Sequence, residues 1–95
     1  DLSRQLSDVH KVVTITLMAE SWIYNQQSAV VTGVLADETK QMISPIPASA
    51  SMNAYVAAGV MAISQAANSL TFSCVHAPSA DLTVYIFIDE VVTAS

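Results

Sequence analysis

SLTFSCVHAPSADLTVYIFIDE, residues 69–90, holds two runs of alternating side chains separated by a proline-containing break. Leu70, Phe72 and Cys74 alternate with Thr71 and Ser73, and Leu82, Val84, Ile86 and Ile88 alternate with Thr83, Tyr85 and Phe87. Successive side chains of a strand point to opposite faces, so period two predicts two strands. Between them, residues 76–81 contain Pro78, which has no N–H to give a ladder, among small and polar residues that favour reversal. The stretch therefore predicts a β-hairpin. Its second strand is apolar on both phases, with Tyr85 and Phe87 where a solvated strand carries charges. Such a strand is expected to be buried on both sides, one side in the domain's own core and the other against a neighbouring subunit.

At 95 residues the chain is one small domain with one modest core. Apolar residues make up 53% and charged residues 12%, the latter about half the roughly 25% usual in soluble domains. Too few charges remain to coat a free monomer. Polar residues interrupt each apolar run before the ~18 residues needed to span a bilayer, so burial in an oligomer explains the excess better than membrane insertion. Three basic residues against eight acidic ones give a net charge of −5, which argues against nucleic-acid binding. The opening Asp1, Leu2, Ser3 and Arg4 lacks the form of a secretory signal, and the missing initiator Met suggests a fragment or a processed chain.

Leu2, Leu6, Val9 and Val13 are spaced four, three and four apart, the a/d stripe of a heptad. Residues 1–11 are read as a helical or coiled-coil stalk remnant and residues 12–95 as the β domain. A short amphipathic helix lying against its own sandwich is the alternative. Val13, Ile15 and Leu17 then alternate with Thr14, Thr16 and Met18 as a first strand ending near Glu20. Trp22 is expected to close one end of the core with its indole N–H on a partner. Residues 25–28 read as a loop, and residues 29–35 as a strand in which Gly33 marks a bulge or a close backbone approach. Residues 40–43 form a short strand that stops at residues 44–47, where Pro45 and Pro47 remove donors and suggest a sheet edge or exit. Residues 48–59 carry helical character, with Ser49 or Ser51 as cap, Gly59 as terminator and Met52, Tyr55 and Val56 facing inward. Residues 60–65 resume as a strand and residues 66–68 turn.

Catalytic signatures are sparse. The chain has no glycine-rich phosphate loop, no paired Cys-x-x-Cys, no His-x-x-x-His and no nucleophile elbow. Asp37 and Glu38 are neighbours at a turn, where carboxylates are usually solvated rather than opposed across a substrate. Cys74, the single cysteine, lies on the apolar phase as a small buried hydrophobe; a nucleophilic role would need a basic, accessible setting, with His76 as its neighbour. His10 or His76, repeated around a threefold axis, would give an ion the ligands one chain lacks. The expectation is that the protein is not an enzyme and holds no cofactor and no metal of its own. Trp22 and Tyr24, two apart, are candidate glycan contacts, and a monomeric carbohydrate-binding module is the alternative function.

Several features in one order carry a resemblance: a strand ending in Trp22, V-x-G-V at residues 31–34, Pro45-x-Pro47, YVAAGV at 55–60, LTF at 70–72 and P-x-x-D-L-T-V-x-I-x-I at 78–88. Over about residues 12–88 the chain resembles the C-terminal β-sandwich module of tailed-bacteriophage and prophage structural proteins, of the fibre, baseplate or head-fibre and spike type. The resemblance implies a trimeric virion appendage on a coiled-coil or fibrous stalk, at the phage particle surface and made in the host cytoplasm. Its implied partners are itself, other virion proteins and a candidate host cell-surface glycan. No catalytic residue is implied. The combined expectation is an all-β fold, a small antiparallel β-sandwich, jelly-roll or Ig-like, of six to eight strands, with a short N-terminal helix and a homotrimeric state. Leu2, Leu6 and Val9 would set the stalk axis, and Tyr85 and Phe87 the face between subunits.

Overall fold

The computed structural model describes residues 10–90. The heptad positions Leu2, Leu6 and Val9, and with them the N-terminal helix, lie outside the described residues. Six strands and one helix follow in order: β1 (His10–Leu17), β2 (Gln26–Val30), β3 (Gln41–Pro47), α1 (Met52–Ala58), β4 (Met61–Ala66), β5 (Ser69–Ser73) and β6 (Leu82–Glu90). They form two three-stranded sheets in the orders β1-β6-β3 and β2-β5-β4, every pairing antiparallel. The inward residues of both sheets belong to one buried cluster, so the architecture is a small β-sandwich.

The two runs of residues 69–90 are strands, but they are not a hairpin. β5 is the centre of one sheet and β6 the centre of the other, and residues 74–81 cross between the layers. Alternation specifies which side chains face inward, and this constraint is the same whether two strands lie side by side or in opposite layers. Leu70, Phe72 and Cys74 from β5 and its exit meet Leu82, Val84, Ile86 and Ile88 from β6 in the core, with Ile15 and Leu17 added from β1. The true tight hairpin joins β4 to β5 through Ala67 and Asn68, where Asn68 takes φ +58. Asparagine tolerates this left-handed conformation better than most residues.

Local readings are revised in four places. Residues 26–30 form a strand rather than a loop, because Gln26, Gln27 and Ser28 pair with β5 at a sheet edge. Residues 31–35 form an irregular loop instead of a strand; Gly33 there has φ +102, and a side chain on it would meet the Lys11 Nζ at 3.0 Å. β3 runs past Ile43 to Pro47, its last residue, with Pro45 inside it; it is an edge strand, as two residues without an N–H donor suggest. The inward residues of α1 are Ala54, Tyr55 and Ala58, while Met52 and Val56 are exposed.

Amide side chains pin the irregular loop. The Gln41 Nε2 donates to the Gly33 carbonyl at 2.8 Å and its Oε1 accepts from the Leu35 N–H at 2.9 Å. Asn68 accepts from the Gly33 N–H at 2.9 Å, and the Gln65 Nε2 donates to the Leu35 carbonyl at 2.8 Å. Buried Gln41 thereby meets the requirement that a polar group removed from water be hydrogen-bonded. Buried Ser51 holds the N-cap position of α1, as the sequence suggests, but its hydroxyl makes no capping bond and instead accepts from the Thr83 N–H at 3.0 Å, which ties the start of α1 to β6.

Helix α1 ends at Gly59, whose φ of +66 is left-handed and whose missing Cβ would stand 2.7 Å from the Val75 Cγ2. Gly59→Ala should lower unfolding stability by more than about 1 kcal/mol, and Phe72→Ala by about 3–5 kcal/mol, both read as midpoint shifts in urea unfolding.

Candidate functional site

The inward phases of the two sheets are alike, but their outward phases differ. On the β1-β6-β3 sheet the register sets Val12 beside Phe87 and Ser44, Thr14 beside Tyr85 and Ile46, and Asp89 beside Met42. Val12, Met42 and Ile46 are 56%, 63% and 45% exposed. Tyr85 is also exposed and Phe87 is half-buried. The same phase carries Thr16 beside Thr83 and His10 beside Asp89, so this outer face is mixed. Val12, Met42, Ile46, Tyr85 and Phe87 form an apolar cluster among Thr14, Thr16, Ser44 and Thr83, with the His10 and Asp89 positions at one end.

On the β2-β5-β4 sheet the outward rows are Gln26, Ser73 and Met61; Ser28, Thr71 and Ser64; and Val30, Ser69 and Ala66. Hydroxyls and one amide dominate, and none of these residues is charged. The Ser28 and Thr71 hydroxyls are hydrogen-bonded to each other at 2.9 Å. A groove of about 280 Å³ runs beside them, lined by Ser21, Ile23, Gln26, Gln27, Ser28 and Thr71. The Gln27 Nε2 donates to the Met18 carbonyl at 3.0 Å and fixes that wall.

The wall continues into a two-residue reversal. Ile23 and Gln26 exchange backbone hydrogen bonds of 2.9 and 3.0 Å, and the intervening Tyr24 and Asn25 have φ values of +51 and +62. Two consecutive positive values define the primed turn that matches strand twist. Asn25 suits it, but Tyr24 does not, since a bulky side chain in this region costs about 1 kcal/mol or more. The turn is nevertheless anchored. The Asn25 carbonyl accepts from the Cys74 N–H at 2.9 Å, and the Asn25 Nδ2 donates to the Val75 carbonyl at 3.3 Å. Tyr24 stands 97% exposed at the tip.

The structure separates the two aromatic residues read as one glycan platform. Trp22 is partly buried and packed against the core cluster, and its Nε1 is buried without a hydrogen-bond partner among the described residues. The indole closes the core as expected, but without the expected partner. Of the two, only Tyr24 is fully exposed. Ser21, Gln26, Ser28 and Thr71 were not singled out from sequence, although the alternation of Gln26, Ser28 and Val30 and of Ser69, Thr71 and Ser73 carried the signal. Tyr85 and Phe87 do share one outer face.

Other candidates are dispersed. Among the described residues no three His, Cys, Asp or Glu side chains are grouped to hold a metal ion. Asp37 accepts from the Thr39 N–H and hydroxyl at 2.9 and 2.7 Å, and these bonds, with help from Lys40, hold its carboxyl below the usual range. It stabilises its own turn. A shallow groove of about 260 Å³ between α1 and the residue 76–80 loop is lined mainly by alanines, with His76 at its edge. No helix among the described residues is long and apolar enough to cross a membrane. In comparisons with protein families, curated proteins and solved structures, the chain matches none.

Cys74 is buried, and burial pushes its thiol up. The native chain keeps the proton where an unfolded thiol, ordinarily near pH 8.5, has lost it. Above that value the unfolded state binds fewer protons, so stability is full below it and falls as pH rises. Cys74→Ala should flatten this loss above about pH 8.5 in urea unfolding. Tyr55, also pushed up by burial, should sustain a further loss above about pH 10. Native Cys74 should react slowly with iodoacetamide and rapidly once unfolded; fast native labelling would contradict its burial.

Proposed function

We propose that the chain is a structural module of a tailed-phage virion, a trimeric fibre, spike or baseplate element serving assembly and host attachment. The observation that carries this reading is the cluster of Val12, Met42, Ile46, Tyr85 and Phe87 on the outer face of the β1-β6-β3 sheet, four of them exposed. Clustered exposed apolar side chains mark interaction surfaces. The order of sequence motifs resembling phage structural modules supplies the setting, the particle surface.

The apolar cluster alone is small for an interface. Three strands about 4.8 Å apart, each residue rising about 3.3 Å, make a face of only about 300 Å². A standard interface takes about 800 Å² from each partner. One such face pressed on its copy would be small, so the proposed assembly also depends on contacts along the stalk. The heptad positions Leu2, Leu6 and Val9 lead directly into β1, a strand of the same sheet. A stalk built on them continues into the apolar cluster, and the acidic chains meet where the surface has few charges. The Ig-like or jelly-roll elaboration of the sandwich belongs to the same reading.

Light scattering on the chain in dilute solution should give three times the mass of one copy. Phe87→Asp and Met42→Asp should dissociate it, and exposed Met42 makes the second variant a test that leaves the buried core intact. A native chain that runs as a folded monomer would overturn the proposal.

A further inference from the structure

We infer that the groove beside the Tyr24 turn binds one ring of a neutral carbohydrate. The inference extends the attachment part of the appendage reading by giving it a contact surface, and it rests on that reading only for biological setting. The groove lies on the hydroxyl-rich sheet face, opposite the apolar cluster assigned to assembly, so it stays open when three copies join.

Three features specify the ligand chemistry. First, the lining supplies neutral hydrogen-bonding groups: the Ser21 hydroxyl, the Gln26 amide and the coupled Ser28 and Thr71 hydroxyls. A hydroxyl offers one donor and two acceptor positions, so Ser28 and Thr71 retain capacity after bonding each other. Such a mixed set matches sugar hydroxyls, which also donate and accept. Second, Tyr24 does not line the groove itself but is a wholly exposed aromatic ring in the turn between two residues that do, Ile23 and Gln26. Its apolar body with a polar tip suits the C–H face of a pyranose. Third, the lining contains no Lys or Arg, while Glu20 adjoins Ser21 in the sequence. That setting disfavours anionic sugars. The volume is at the small end of ligand pockets, about 300–1,000 Å³, and fits one residue of a longer glycan.

The backbone of the turn gives an independent reason to assign Tyr24 a contact role. An asparagine or glycine would adopt φ +51 with less strain. A tyrosine there is unfavourable for folding and is held by the bonds from Asn25 to residues 74 and 75. The ring is thus presented on a fixed support, which reduces the entropy lost on binding.

The test titrates the intact chain with neutral oligosaccharides of glucose, galactose, mannose and N-acetylglucosamine, and with sialylated and sulfated counterparts, using amide chemical-shift mapping and calorimetry. Binding of a neutral glycan should shift residues 21–28 and 71 and change little between low and high salt. Tyr24→Asn should raise the melting temperature yet weaken binding about tenfold or more, a combination that a merely structural tyrosine would not produce. Ser28→Ala with Thr71→Ala should also weaken binding, whereas Met42→Asp should leave it unchanged. Preference for anionic glycans, shifts confined to other faces, or absence of binding throughout the panel would each overturn the inference. So would retention of full affinity by Tyr24→Asn. Light scattering decides the trimer separately: a trimer that binds no neutral glycan overturns the groove alone, and a monomer that binds overturns the assembly alone.

Discussion

The packing of β5 against β6 across the sandwich is the constraint on which the other elements depend. Among the described residues, seven of the thirteen buried apolar side chains come from these strands and the first residue after β5: Leu70, Phe72, Cys74, Leu82, Val84, Ile86 and Ile88. Each strand is flanked by two others, so its backbone groups are paired on both sides. The edge strands inherit their inward phases from this pair by register. Val13 and Ile15 lie opposite Ile86 and Val84, and Gln27 and Ala29 lie opposite Phe72 and Leu70. The loops are then tied to the layers by amide side chains, which suits a domain with few charges to spend on ion pairs.

The sequence made the inward phases legible because burial imposes a regular period. It left the pairing partner open, since a strand core reads the same in either layer. Connection length contained the missing signal. Eight residues separate Ser73 from Leu82, whereas only Ala67 and Asn68 separate β4 from β5, and two-residue connections are the ones that enforce hairpins. β2 was obscured for a different reason: Gln26 and Ser28 point outward, so a polar run resembles a loop until its ladder is seen. Residues 31–35 show the reverse error, an apolar run whose Val31 and Val34 reach the core from an irregular backbone. Tyr85 and Phe87 were legible as an apolar outer phase. The hydroxyl face was equally written in the sequence, but its groove depends on the turn geometry of Tyr24 and Asn25.

Core formation leaves the outward phases free to differ. Ser69, Thr71 and Ser73 on β5 and Tyr85 and Phe87 on β6 occupy comparable positions on the two central strands. Swapping their character would leave the inward phases untouched. Their contrast therefore cannot be explained by the needs of the sandwich itself. An apolar face loses unfavourable contact with water when covered, whereas a hydroxyl face gains little from burial unless its partner supplies matched hydrogen bonds. The proposed assembly would cover the apolar cluster of the first sheet and leave the second sheet, where Val30 and Met61 are also exposed, in water.

The turn at Tyr24 links this division of faces back to the core. Residue 74 ends the β5 contribution with an inward side chain, while its N–H donates outward along the backbone to Asn25. The next residue, Val75, accepts from the Asn25 side chain and packs close to Gly59 at the end of α1. The reversal is thus braced by the segment that begins the crossing between sheets. Four hydrogen bonds, two across the reversal and two from Asn25, offset the unfavourable backbone angle of Tyr24. A net contribution of about 1 kcal/mol from each is enough to hold a strain of that order. The same packing that sets the fold can therefore maintain an exposed tyrosine in a conformation that local preference would not choose.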